Sequence, residues 1–422
     1  MERLIKSVSK KERSWILYDW ANSAYSMTVT SAILPIYFSS MVTAAGHTGE
    51  AATIYWGYTN SFASILVAIL SPVLGGLADH MGMKKKLFII FSFMGILFTG
   101  ALALIPFGVW VPLMITYVLT VLGFSLGNVF YDSFLTDVTT EERMDKISTM
   151  GFAFGYIGST IPFIICMLFV VLAQMGKIPI SVVTASKISF VLTAIWWFIF
   201  TLPMYKDVEQ VHGIYGEKFS VLDSIVNLGA SFNKIRQNKR VFYFLLAYFF
   251  YIDGVDTIIK MATSYGTALG LSSTVLLLVL LFTQFVAFPF AILYGKMAEK
   301  YGAKNMIYVG VFVYTIICIY AYFIKSEIDF WILAFLVGTS QGGIQAISRS
   351  YFASMIPKEN SNEYFGFYNI FGKFAAIMGP FLVSFTTQVT GDVRNGVFSL
   401  IVLFIVGIIF LLIERRNNKS VS

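Results

Sequence analysis

Cysteine and histidine are scarce in this chain: two and three, respectively, in 422 residues. Cys166 and Cys318 both fall inside apolar runs, so they read as reduced, small, lipid- or core-facing residues with no expected disulfide or metal role. His47, His80 and His212 lie in separate links and form neither a ligand spacing nor a nucleophile–base set. A metal site, a cofactor and an enzymatic activity are therefore not expected. Charge is also sparse, at 13% of residues against about 25% in soluble domains. A phosphate loop is missing too. The stretch GFYNIFGKF has five residues between its glycines and Phe374 where a hydroxyl would be needed, so ATP-driven work has no support. The basic N-terminus leads into an apolar run too long for a signal-peptide core, without a small-residue cleavage site.

What the chain has is apolar length. Hydrophobic residues make up 57% of it and the mean hydropathy is +0.75. Runs of about 20 apolar residues recur from end to end, each long enough to cross about 30 Å of hydrocarbon as a helix. Their spacing predicts an all-α polytopic membrane protein with twelve spans near 14–42, 54–78, 87–106, 110–134, 148–173, 187–204, 241–266, 272–294, 305–324, 330–351, 366–389 and 395–413. The longest polar link divides the chain into an N-terminal six-helix bundle (1–204), a cytoplasmic linker (205–240) and a C-terminal six-helix bundle (241–422). Within the linker, Phe219 to Ile235 carries apolar spacing suited to an amphipathic helix on the membrane surface.

The net charge of +7 raises the question of a nucleic-acid partner, and the distribution of the charge answers it. Counting alternate links with both termini places 24 basic residues on one face and 4 on the other, with Lys260 and Lys373 inside spans. That asymmetry is the positive-inside pattern. It puts both termini in the cytoplasm and disposes of nucleic acid.

The two halves repeat each other. GGLADHMGMKKK follows span 2 and YGKMAEKYGAKN follows span 8. Both read glycine, acid, glycine, lysine at one spacing: Gly75, Asp79, Gly82 and Lys84 in the first copy, Gly295, Glu299, Gly302 and Lys304 in the second. Glycines permit a tight turn against neighbouring helices, and the acid suits helix amides or a basic partner, so the motif is a candidate conformational gate. A chain built as two six-helix copies points to a transporter whose halves rock around a central site.

The duplicated motif resembles the loop 2–3 signature of the major facilitator superfamily, with His80 where arginine is usual. A narrower resemblance rests on WILYDWANSAY (15–25), YFFYIDGVDTI (248–258), GGIQAISRSYFASMIP (342–357) and YFGFYNIFGKFAAIMGP (364–380). These are similar to the vacuole-effluxer-like branch of that superfamily, the autophagy-related vacuolar amino-acid effluxers and their bacterial relatives. The resemblance implies the major facilitator fold, export of a small solute with amino acids among the candidates, and a cavity lined by spans 1, 4, 7 and 10. The compact length favours a bacterial plasma-membrane protein.

Polar residues inside spans agree with that lining. Ionisable groups there cost roughly 2.5–3.5 kcal/mol each on insertion scales and point to function by default. Asp19 and Asn22 share a face of span 1 at helical spacing, while Trp15, Tyr18 and Trp20 beside them suit an interfacial aromatic belt. Asn128 and Asp132 close span 4. Span 7 holds Asp253, Asp256 and Lys260, the last two at i and i+4, where a local ion pair is the alternative to a ligand role. Span 10 holds Gln341, Gln345 and Arg349, and span 11 holds Lys373. Together they form the candidate substrate or coupling cavity. Asp132 and Arg349, near cytoplasmic ends, also suit solvated or gating roles.

The reading is a monomeric secondary transporter working by alternating access, with a small-molecule substrate, the proton as coupling ion and the lipid bilayer as surroundings. A drug, sugar or peptide carrier of the same superfamily is the alternative, and a channel or lipid scramblase is the alternative of another class.

Overall fold

Inside hydrocarbon every backbone N–H and C=O must bond within its own segment, so long apolar runs can only be helices. The computed structural model describes residues 8–215, 228–271 and 273–419. In chain order they form α1 (Lys10–Ala24), a π-helical segment (Tyr25–Ile33), α2 (Leu34–Ala44), α3 (Gly49–Ala78), α4 (Met83–Ala101), α5 (Trp110–Ser133), α6 (Leu135–Val138), α7 (Met144–Gln174), α8 (Val182–Asp207), α9 (Leu228–Gln237), α10 (Lys239–Ala268), α11 (Ser273–Tyr301), α12 (Ala303–Tyr322), α13 (Glu327–Ala353), α14 (Ser361–Thr390), α15 (Val393–Ser399) and α16 (Ile401–Lys419). Among the described residues there is no strand, only an isolated bridge between His80 and Ile214.

Twelve of the described helical stretches are long and apolar enough to cross a membrane, from Lys10–Ala44 to Val393–Arg416. They match the expected spans, and several run further at their polar ends: the fifth begins at Glu141 and the eleventh at Lys358. Helix continues there because a polar first turn is tolerated outside hydrocarbon, where water satisfies the orphan N–H groups. The expected amphipathic helix over 219–235 lies outside the described residues up to 227, and its remainder is the start of α9.

The first span departs from a regular helix. Nine residues, Tyr25–Ile33, form a π segment. Its cause is legible in SMTVTS: Thr30 and Ser31 both turn their hydroxyls back to the Ser26 carbonyl, at 2.6 and 2.9 Å. The Ser31 bond reaches five residues back, the π spacing, and Pro35 then removes an N–H from the ladder at the start of α2.

The chain forms two compact units, Met1–Val138 with Phe154–Phe219, and Thr139–Ala153 with Ser220–Ser422. In the first, α4 and α5 cross where Gly123 meets the Gly95 backbone, so a Cβ at Gly123 would collide with it. A Cβ on Gly95 would meet the buried Trp197 ring as well. Trp15 and Tyr18 are fully buried, which corrects the expected aromatic belt for these two residues. Trp15 stacks on Tyr131 at 4.5 Å and donates its indole N–H to the Tyr131 carbonyl, while Tyr18 sits 4.7 Å from the Tyr131 ring. Aromatic pairing inside the bundle outweighs the interfacial preference of these rings. Trp20 stays half-buried against Trp196.

In the second unit, Gly254 of α10 admits the Phe404 ring of α16, and Gly343 of α13 admits the Tyr294 ring of α11. The internal repeat extends to the helix ends. Lys10 pairs with Asp207 at 2.7 Å, joining the start of α1 to the end of α8. Arg240 pairs with Glu414 at 3.4 Å, joining the start of α10 to the end of α16.

Candidate functional site

In the first unit the polar stripe of α1 meets α5. The Asn22 amide donates to the Asn128 side chain at 2.7 Å, and the Tyr131 hydroxyl donates to Asp19 at 2.8 Å. Asn22 is buried, whereas Asp19, Asn128 and Asp132 are half-buried. α7 covers one edge of the stripe, because Gly155 leaves room for Ser23 and for the Asp19 backbone. Four sequence-selected residues are thus on two adjoining helices, and Tyr131, reached by the same spacing, is part of the group. The π segment begins one residue beyond Ala24, so the stripe runs into an irregular helix, a feature frequent at functional sites.

In the second unit Asp253 is fully buried in α10. One carboxylate oxygen accepts the Gly379 N–H of α14 at 2.9 Å and lies 3.4 Å from the Thr257 hydroxyl. The other oxygen has no hydrogen-bond partner among the described residues. Gly379 is required by this approach, since a Cβ there would fall 2.7 Å from the Asp253 oxygen and closer still to Thr257. Thr257 and Gln341, itself buried, also line an apolar cavity of about 70 Å³ bounded by residues such as Tyr265, Phe330 and Leu400.

The other span residues have separate settings. Asp256 and Lys260 lie 3.7 Å apart as an i,i+4 ion pair, with Lys260 exposed close to the Ala262 end of the span. An exposed pair is worth about 0–1 kcal/mol, so Lys260→Ala is expected to shift the melting transition of the purified protein by less than the buried-pair variants considered below. A drop as large as theirs would show that Lys260 has a further partner. Gln345 is half-buried. Arg349 is buried at the end of α13, where it donates to the Ser148 hydroxyl at 2.9 Å and its carbonyl at 3.0 Å, with the guanidinium 4.5 Å above Phe152. The structure places Arg349 in this packing contact with the first turns of α7. The side chain of Lys373 lies outside the described residues.

The duplicated motifs build different networks from one pattern. In the first copy, Gly82 takes φ +80°, a left-handed turn that lets α4 start immediately after it. Asp79 is buried, and Gly75 accepts its N–H through the helix ladder at 3.2 Å. Lys84 is fully buried and bonds Asp137 of α6 at 2.6 Å. The other Asp137 oxygen accepts the N–H groups of Val211 and His212, both at 2.9 Å. In the second copy Gly302 takes φ +87°, Gly295 leaves space for Thr149, and Glu299 is exposed. Lys304 pairs with the buried Glu414, which also accepts from Tyr351 at 3.0 Å. In both copies the motif lysine is held by a carboxylate from outside the motif.

Sequence reasoning missed Gln210. Its side-chain oxygen accepts the N–H groups of Gly82 and Lys84 at 2.9 and 3.2 Å, and its NH₂ lies 3.1–3.3 Å from the carbonyls of Ala78, His80 and His212. With Met81 and Asp79 bonding Ile214, this strap after α8 is stitched onto the motif turn. Truncating Gln210 leaves several backbone groups of the turn without their partner, at about 1–3 kcal/mol for a buried group. Gln210→Ala is therefore expected to speed amide exchange at Gly82, Lys84 and Ile214, read by hydrogen–deuterium exchange. Unchanged protection would mean the strap is held without it.

The family described as vacuole effluxer Atg22 like matches residues 8–142 and 136–421. The MFS-type transporter YxiO of Bacillus subtilis (strain 168) is 53% identical over 420 residues, covering 99% of this chain and 98% of its own. Autophagy-related protein 22 of Pichia angusta is 24% identical, with 92% of this chain and 79% of its own covered. Among solved structures, the major facilitator transporter FucP in the outward conformation aligns with a TM-score of 0.73 at 12% identity, covering 96% of this chain and 97% of its own. The proton:xylose symporter XylE gives 0.69 at 14% identity, with 96% and 93% covered. At these identities the two structures speak for the fold.

Proposed function

Since the chain belongs to the Atg22-like vacuole effluxer family, and is thus a transporter of the major facilitator superfamily, we propose that it exports a small solute, with amino acids as the substrate class, by proton-coupled alternating access. The observation that carries this reading is Asp253. A carboxylate buried in mid-span, with one oxygen unpartnered among the described residues, offers an acceptor that a proton or a cationic group of the substrate would satisfy. Its charge state would then bias one orientation of the carrier over the other.

In the first unit Asp19, Asn22 and Asn128 supply acceptors and donors for an ammonium and a carboxylate, and in the second Gln341 and Gln345 supply amide groups of the same kind. A zwitterion satisfies both signs. Asp79, Lys84, Glu299 and Lys304 belong to the turns that hold each orientation. Asp132, Asp256, Lys260 and Arg349 lie towards the ends of their own spans. The basic asymmetry of 24 against 4 supports a plasma-membrane protein with cytoplasmic termini. The test of substrate class is a thermal-shift screen of the purified protein against amino acids, sugars, peptides and drugs. Stabilisation confined to amino acids is expected, and stabilisation confined to another class would replace the substrate.

A further inference from the structure

We propose that the groove between α9, α10 and α14 is a binding site for an anionic phospholipid, with one acyl chain in the groove and the headgroup phosphate on the cations of α9 and the start of α10. The groove is lined by Phe232, Phe249, Phe367, Ile370, Phe371 and Phe374, without a polar side chain among the described residues, and offers about 370 Å³. Phe232 ties α9 to its mouth, 6.3 Å from Phe242 and 6.1 Å from Phe367, and Phe249 meets Phe371 at 6.2 Å deeper in. From Phe242 to Phe249, and likewise from Phe367 to Phe374, helix rise gives about 10 Å. That is two thirds of the ~15 Å hydrocarbon depth of one leaflet. The groove therefore begins where α9 sits and descends along the direction a lipid tail takes.

Charge identifies the headgroup. Lys234 and Arg236 are exposed on α9 and Lys239 is exposed at the start of α10, all within seven residues of Phe232 at the groove mouth, and none has a carboxylate partner among the described residues. Arg240, the next cation, is already held by Glu414. Two unpaired cations on an amphipathic helix and a third at the start of α10, beside an apolar groove, match an anionic headgroup and select against a zwitterionic one. Basic side chains near an anionic surface contribute enough for three of them to give on the order of a hundredfold preference.

The test is native mass spectrometry of detergent-purified protein titrated with phosphatidylglycerol or phosphatidylcholine of the same chain length. The wild type is expected to retain phosphatidylglycerol preferentially. Replacing Lys234, Arg236 and Lys239 together by glutamine is expected to remove the preference, and F371A with F374A to weaken both lipids alike. Melting curves confirm that each variant is folded. A control, K296Q with K300Q, removes exposed cations elsewhere and is expected to keep the preference. Equal retention of both lipids by the wild type, persistence of the preference in the triple variant, or its loss in the control would each overturn the proposal.

Discussion

In proteoliposomes, Asp253→Asn is expected to reduce gradient-driven transport to background while solute counterflow continues. The substitution keeps shape and one acceptor, so the Gly379 N–H retains its partner at the Asn side-chain oxygen. What disappears is the capacity to take and release a proton in a fully buried position. Asparagine imitates the protonated carboxylic acid, so the carrier is left in one of its two charge states. Reorientation with solute bound then needs no proton, and exchange persists, whereas an imposed pH gradient has nothing to act on. Loss of both activities would place Asp253 in substrate binding or in folding, and a melting curve distinguishes the two. An unchanged gradient-driven rate would remove Asp253 from the coupling mechanism.

The second large effect concerns stability. Lys84 and Asp137 are both fully buried and bonded at 2.6 Å, and Asp137 also receives two backbone N–H groups of the strap. Removing one member of a buried pair leaves an uncompensated charge, a loss of about 3–5 kcal/mol, whereas replacing both by apolar residues is often nearly neutral. Asp137→Ala and Lys84→Met are each expected to lower the melting temperature strongly. The double variant should recover part of the loss on the lysine side, and less on the strap side, because Val211 and His212 keep their orphaned N–H groups. Asp137→Asn, which still accepts both N–H groups, separates charge from hydrogen bonding. Additive losses in the double variant would contradict the pairing.

Much of the fold was legible because membrane spans are a local signal: length and hydropathy within one window suffice. The duplicated motif was legible for the same reason, as a spacing within ten residues. Its partners were not. Gln210 reaches Gly82 across 128 residues of sequence, and nothing in VEQVHGIY announces a hub. Trp15 and Tyr18 read as belt residues because a ring near a span end suits an interface, and only the position of Tyr131 shows that they are core. The π segment had a signal in its serines and threonines, but a hydropathy window does not register which carbonyl a hydroxyl will choose. For the site, the acids and amides were readable from their cost in hydrocarbon. The opposing Gly379, whose missing side chain is what brings α14 onto Asp253, was not.

The most direct measurement follows protons with the solute. Wild-type protein is reconstituted with a trapped pH-sensitive dye, the membrane potential is clamped, and a stabilising amino acid is added on one side. The proton-coupled account predicts a luminal pH change that scales with the amount of solute crossing and vanishes without protein. Solute crossing at the same rate with no change in luminal pH would contradict it.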